Sequence, residues 1–373
     1  MGSKPPVMGR VAALGLGTAL VILLRGIRGL TVRAPDKDSG AQSAEAKQSS
    51  ANPHAAAQEA GRGREADNPA QIPPRGWRDI AWRVYEEIGK DRVLAVAAGV
   101  TFYLLLAAFP AVAAFVSLYG LVADVRTIDS HLADLAGFVP SGAVDIIGEQ
   151  IKRVNAKGEG ALGLAAFIGL ALSLWSSNAG MKAIFDALNV AYGEEEKRNF
   201  FVLNATSLAF TLLALAFMVC ALGAVVAVPI FLEAVGLGSA GGWILWIGRW
   251  PALLLLIVFS LAVLYRYGPS RDRARWVWLT PGAAVASLAW IAFSMGFSWY
   301  VSGFGSYDET YGSLGAAIGF MTWMWLSTTI LLVGAELNAE VEHQTAQDST
   351  EGAPAPLGTR GAEMADNVGR AVA

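Results

Sequence analysis

The sequence predicts an all-α, polytopic membrane helix bundle of six core transmembrane helices with an extra N-terminal one. Three observations carry this. Between Val93 and Asn338 lie six apolar stretches, each close to the ~20 residues that a helix needs to cross a hydrocarbon core. None alternates with the two-residue period of a barrel strand, and backbone groups in lipid must be satisfied within a helix or a closed barrel, so each stretch reads as a helix. Finally, the 373 residues are 54% hydrophobic and only 16% charged, too apolar for an ordinary soluble chain of this length.

The stretches centre on Ala95 to Leu121, Ala161 to Trp175, Phe201 to Val228, Trp243 to Tyr265, Val277 to Tyr300 and Leu314 to Gly334. Ahead of them, residues 1–33 contain the apolar run Val11 to Leu24. Arg25-Gly26-Ile27-Arg28 follows that run directly, where a signal peptide would place a small-residue cleavage site, so it reads as a membrane helix rather than a signal. Residues 34–74 and 343–373 hold almost no large apolar side chain and are expected to be a disordered linker and a disordered cytoplasmic tail around a membrane domain of residues 75–342. Within the domain, Trp77, Ile80, Ala81, Val84, Tyr85 and Ile88 fall on one face opposite Arg78, Arg83, Glu86 and Glu87, the pattern of an amphipathic helix on the inner leaflet. Between Ala123 and Gly160, apolar residues recur every three or four positions around Pro140-Ser141-Gly142, which predicts two short interfacial helices.

Charge placement sets the expected orientation. Arg75, Arg78, Arg83, Lys90 and Arg92 precede the first core helix; Lys182, Lys197 and Arg198 follow the second; Arg266, Arg271, Arg273 and Arg275 follow the fourth. The loops Pro229 to Gly242 and Val301 to Gly312 have neither Lys nor Arg, so the basic ends are expected on the cytoplasmic side, with both termini of the core. The net charge of -3 carries no such information. Cys220 is the single cysteine and lies in an apolar run, which excludes an intrachain disulfide framework and a thiolate cluster.

Polar groups at membrane depth are the candidate functional residues, because their cost demands a reason. Asn178, Lys182 and Asp186 are four apart on the second core helix, and read either as a polar track facing a cavity or as a helix end with an ordinary ion pair. Arg249, just before Pro251, reads as a binder of an anionic headgroup, as a partner of Glu233, or as a snorkelling interfacial cation. Glu336, Asn338 and Glu340 end the sixth helix; with Arg266 or Arg271 they would form an inner salt-bridged gate, or else a solvated helix end. Gly312, Gly315 and Gly319 form a small-residue packing face, and Pro110 and Pro251 are expected to kink their helices.

Several segments taken together resemble one family. They are Ala97-Ala98-Gly99-Val100-Thr101-Phe102-Tyr103 with Phe109-Pro110, Trp175-Ser176-Ser177-Asn178-Ala179-Gly180-Met181, Tyr265-Arg266-Tyr267-Gly268-Pro269, Pro281-Gly282-Ala283, Tyr311-Gly312-Ser313-Leu314-Gly315-Ala316 and Gly334-Ala335-Glu336-Leu337-Asn338-Ala339-Glu340. In this order, across roughly Gly76 to Glu342, they are similar to the YihY/BrkB family of bacterial inner-membrane proteins. The resemblance implies a six-helix inner-membrane core and a connection with envelope lipid transport. The family also carries an older ribonuclease label, against which the residues argue: His54, His131 and His343 are the only histidines and lie far apart in sequence, and no basic, aromatic-studded soluble domain is present to hold RNA.

The expected function is therefore transport or lipid translocation in the cell envelope, with the bilayer and an anionic lipid as partners and no nucleic acid. A scaffold for envelope proteins is the alternative, and an intramembrane enzyme is third, because no nucleophile stands with a base or a metal. No cofactor or metal motif is present.

Overall fold

The computed structural model describes residues 56–119, 164–234, 238–303 and 313–372. The expected N-terminal membrane helix, residues 34–55 of the linker and the expected interfacial helices between Ala123 and Gly160 lie outside the described residues. What is described is helical, with one isolated bridge, Ala274 to Thr350, in place of any strand.

Helix α1 (Pro74–Lys90) starts at a proline, whose missing N–H costs nothing in the first turn, and ends at Asp91. Six long helices follow: α2 (Val93–Tyr119), α3 (Leu164–Ala191), α4 (Phe200–Ala234), α5 (Gly238–Tyr267), α6 (Trp276–Gly303) and α7 (Ser313–Glu342). A single turn, α8 (Glu363–Asp366), lies in the C-terminal segment. By length and apolarity α4, α6 and α7 contain candidate membrane spans (Phe200–Met218, Trp276–Val301 and Ala317–Glu342), and the α1–α2 pair makes a fourth if its two halves count as one broken span. The outward side chains agree: Phe201 is 80% exposed, Trp299 71% and Leu255 69%, an apolar exterior suited to lipid.

The α1–α2 pair bends by 60°. The break is Asp91-Arg92, where Arg92 takes a φ of 52°, the left-handed region that a non-glycine residue rarely enters. Bending lays α1 against the end of α7 on a face that overlaps its amphipathic pattern, with Ile80 buried, Trp77 and Val84 packed around it and Ile88 against the main core, but rotated to take in Asp79 and Arg83. Gly76, Asp79, Ile80 and Arg83 are buried, whereas Tyr85 is exposed. Helices α2 and α5 continue through Pro110 and Pro251.

The helices approach closely where glycine and alanine allow it. A Cβ on Gly282 of α6 would stand 2.0 Å from the Gly334 carbonyl oxygen of α7, and one on Gly334 would stand 2.5 Å from the Tyr265 hydroxyl. At this crossing the Gly282 N–H donates to Asn338 Oδ1 (2.7 Å), and the Tyr265 hydroxyl donates to the Leu331 carbonyl (2.8 Å). On α3, Gly180 similarly admits Leu104 and Ala107 of α2. At the start of α7 a Cβ on Gly319 would meet nothing within 4 Å, so this glycine is not at a close crossing, and Gly312 is outside the described residues. The core around these crossings is rich in alanine, with Ala97, Ala187, Ala283, Ala335 and Ala339 all buried.

The C-terminal segment, expected to be disordered, is folded over residues 343–372, and so is the end of the expected linker from residue 56. Arginines hold them by their backbone carbonyls. Arg360 donates to the carbonyls of Ala346, Gln347, Ala355 and Ala365, and Arg64 to those of Gln344 and Gly369. Composition misses this because it counts apolar surface, whereas these segments are fixed by charge-assisted hydrogen bonds. Ile72, Ile80, Trp278 and Val341 add a small apolar core beneath them.

Gly282→Ala should therefore lower stability by ~1–3 kcal/mol, the usual cost of overpacking, while Gly319→Ala should leave it unchanged or slightly raised through helix propensity. Thermal unfolding of both variants in nanodiscs measures the contrast.

Candidate functional site

Four parts of the chain converge on one end of the bundle. The α3–α4 turn meets the α5–α6 turn through Asn189 Oδ1, which accepts from the Ser270 N–H (2.7 Å), and through Arg198, which donates to the Gly268 carbonyl (2.8 Å). The α5–α6 turn meets the end of α7 through Arg271 and Glu342, 2.7 Å apart with both side chains fully buried. Helix α1 meets the same end through Arg83, which pairs with Glu340; these side chains are 3% and 2% exposed. Arg83 also donates to Gln344 Oε1 (2.7 Å), and the Arg271 guanidinium lies 4.3 Å from the centre of the Tyr192 ring.

The expected gate is thus rearranged. Glu340 pairs with Arg83 of α1 and not with Arg266 or Arg271. Arg266 instead donates to the Ala274 carbonyl and pairs with Glu351 of the C-terminal segment (2.6 Å), stacking on Trp276. Asn338 serves the α6–α7 crossing. Glu336 is buried, 1% exposed, and its Oε1 has no hydrogen-bond partner among the described residues. None of these groups is a solvated helix end.

The residues proposed on α3 separate. Asn178 is buried, 3.5 Å from the Thr211 hydroxyl of α4; Lys182 lies 5.5 Å from the centre of the Trp175 ring; Asp186 is exposed, in the field of Glu196 and Arg198. They do not line one enclosed cavity. Arg249 lies in α5, and its side chain, like that of Glu233, is outside the described residues.

A cavity does exist between the helices. It measures about 390 Å³ and is walled by Leu104 of α2, Ile184 of α3, Ile257 of α5, Trp290 of α6, and Trp323 and Thr328 of α7, among others. That size lies within the ~300–1,000 Å³ of small-molecule sites. Its lining is apolar apart from the hydroxyls of Ser327 and Thr328, and Ser327 accepts from the Trp290 indole N–H (3.0 Å). Along α7 the lining reaches Leu331, five residues from Glu336, so about 7.5 Å of helix separates the apolar cavity from the buried acid. Among the described residues, no group of three His, Cys, Asp or Glu side chains forms a metal site.

Sequence reasoning missed Arg83, Tyr192 and the Glu342 partner of Arg271. One signal was present: Gly76, Asp79, Ile80 and Arg83 recur at intervals of three and one, a buried helical stripe with two charges in it. No pattern predicts a contact such as Arg83 to Glu340, 257 residues apart.

Removing one member of a buried ion pair strands the other. Arg83→Met should cost ~3–5 kcal/mol, and Glu340→Met added to it should restore most of the loss, as read by thermal unfolding. The Glu196 carboxyl gives a pH dependence. Burial alone would raise it, but hydrogen bonds from the Arg198 side chain and backbone and from Asn189 bring it down from 4.5 to about 2. Its stabilisation is therefore complete above its unfolded value and lost as pH falls from 4.5 towards about 2. In Glu196→Gln, the fall in melting temperature over that interval should be smaller than in the unaltered protein.

A ribonuclease-like protein of Bacillus subtilis (strain 168), YfkH, is 34% identical over 253 residues, 65% of this chain and 87% of that protein. UPF0761 membrane proteins of Aggregatibacter aphrophilus (strain NJ8700) and Pseudoalteromonas translucida (strain TAC 125) are 24% identical over 278 residues and 26% identical over 289. Their alignments span 70% and 74% of this chain and 92% and 89% of theirs. No solved structure matches the chain. The profile of the family described as Virulence factor BrkB matches residues 84–357, from α1 through all six long helices into the C-terminal segment. The two UPF0761 relatives are membrane proteins by name, and the ribonuclease-like label is a misassignment. With that profile spanning well over half its length, the chain belongs to the Virulence factor BrkB family, the YihY/BrkB family that its motifs resemble.

Proposed function

We propose that this protein is a six-span inner-membrane protein that translocates a lipid or another amphipathic solute for the cell envelope, and that it is not an enzyme. The observation that carries the reading is the apolar cavity of about 390 Å³ set between helices with a buried charged end on the same helix, α7. An amphipathic molecule needs both an apolar wall for its chain and polar groups for its head. The exposed apolar side chains around the bundle give such a molecule a lipid-facing route to it.

The orientation follows from charge. The ends of the helices that meet at Arg83, Arg198, Arg266 and Arg271 carry the basic residues, which supports a cytoplasmic location for that end and for both termini of the core. Lys182, stacked on Trp175 on the bundle exterior, suits the phosphate of an anionic headgroup. Arg249 is proposed for the same role at the opposite end of the membrane.

The test is native mass spectrometry of the purified protein from nanodiscs of phosphatidylethanolamine and phosphatidylglycerol, comparing the unaltered chain with Ile257→Trp, which fills the cavity from α5. A lipid that co-purifies with the unaltered protein and is lost at least tenfold in Ile257→Trp is the expected result. Lysine and arginine variants, Lys182→Ala and Arg249→Ala, should selectively lose phosphatidylglycerol. Equal lipid retention in all four proteins would overturn the reading and favour a membrane scaffold.

A further inference from the structure

Four arginines, Arg266, Arg271, Arg273 and Arg275, stand where α5 ends and α6 begins. Three are committed within the protein: Arg266 pairs with Glu351, Arg271 pairs with Glu342, and Arg275 donates to the Asp348 carbonyl (2.5 Å). Arg273 differs. It is exposed, no carboxylate of the described residues pairs with it, and its guanidinium lies 5.1 Å from the centre of the Tyr267 ring. Asp272, next to it in sequence, turns to the C-terminal segment, where its carboxyl lies against Gly361 and its N–H donates to the Gly361 carbonyl (3.2 Å). The Glu351 N–H donates to the Arg273 carbonyl (2.8 Å), so the backbone of the turn is fixed while the charged side chain stays outside.

The ring under Arg273 opens a row of exposed apolar side chains. Tyr267 meets Trp276 edge-on, with centres 6.3 Å apart, and Trp276 stacks with Phe259 at 6.3 Å and 9° between planes. Trp276 is the first residue of the candidate span Trp276–Val301, the level at which tryptophan favours the boundary of water and lipid. Phe259 and Leu255, four apart on α5 and both exposed, carry the row into the apolar run. From Tyr267 to Leu255 is about 18 Å of helix, close to the ~15 Å that one leaflet contributes to the hydrocarbon core. A surface that begins in an unpaired guanidinium and continues through rings to alkyl groups has the order of parts of a phospholipid. The guanidinium fork matches a phosphate diester, which accepts two of its hydrogen bonds and supplies the charge that the protein does not.

We infer that Arg273, Tyr267, Trp276, Phe259 and Leu255 form a binding site for one anionic phospholipid of the leaflet at the charged end of the bundle. Its phosphate sits on Arg273 and one acyl chain lies along Trp276, Phe259 and Leu255. The site is on the exterior of α5 and α6, apart from the cavity, and it holds a resident lipid that bridges the two helices. It stands independently of what the cavity carries.

Thermal unfolding of the full chain in neutral detergent tests it, with phosphatidylglycerol or phosphatidylcholine titrated in. A ligand that binds the folded state alone raises the melting temperature, and phosphatidylglycerol should raise it more than phosphatidylcholine does. In Arg273→Gln that difference should vanish, with the titration midpoint moved at least tenfold. The melting temperature in phosphatidylcholine should be unchanged, since Arg273 has no ion pair to lose. Arg92→Gln, which removes another exposed cation, and Ile257→Trp, which fills the cavity, should both keep the difference. An unaltered protein that does not distinguish the two lipids, or a difference retained in Arg273→Gln, would overturn the inference. So would an equal loss in Arg92→Gln, which would reduce the effect to general charge, or equal protection by inorganic phosphate. Loss in Ile257→Trp with retention in Arg273→Gln would overturn this site and leave the cavity reading standing, so the two can fail separately.

Discussion

Everything at one end of this protein depends on the need to neutralise charge buried on α7. Glu336, Glu340 and Glu342 lie on a helix whose preceding five turns are apolar, and each is almost wholly enclosed. An enclosed carboxylate without a partner costs several kcal/mol, so Glu340 and Glu342 each recruit a separate piece of chain. Glu340 holds α1 through Arg83, and Glu342 holds the α5–α6 turn through Arg271. The 60° bend and the left-handed Arg92 are the backbone's accommodation to these attachments.

Away from that end a different rule operates. Lipid removes most of the hydrophobic drive that would press helices together, and close contact and hydrogen bonding take its place. Gly282 and Gly334 let α6 and α7 touch at the backbone, and Asn338 and Tyr265 then bind backbone groups across the crossing. Where larger side chains stand instead, at Trp290 and Trp323, the helices leave the cavity. Tight crossing and open cavity are thus adjacent consequences of residue size along the same α6–α7 pair. The folded segments at residues 56–72 and 343–372 close over the charged end and supply Glu351 and Gln344 to Arg266 and Arg83.

This division gives the family's membrane domain its character: a polar end held by paired charges, and an apolar interior with room in it. A molecule with a charged head and an apolar body matches both halves.

Helicity and membrane location were legible in the sequence because they depend on local properties: run length, apolarity and the absence of two-residue alternation. The elements α2 to α7 follow from that information, and so do the polar positions Glu336, Asn338 and Glu340, whose cost in an apolar run is visible without knowing any neighbour. The partners were decided only by tertiary structure. Arg83 looks solvated in its helix and is buried because Glu340 stands opposite, Arg266 looks poised for α7 and turns to Glu351, and Gly319 looks like a packing residue and faces open space. The order of the C-terminal segment escaped composition for the same reason, since Arg360 and Arg64 bind its carbonyls one by one. A single chain position carries its own transfer cost, but which group offsets that cost is a property of two positions brought together by the fold.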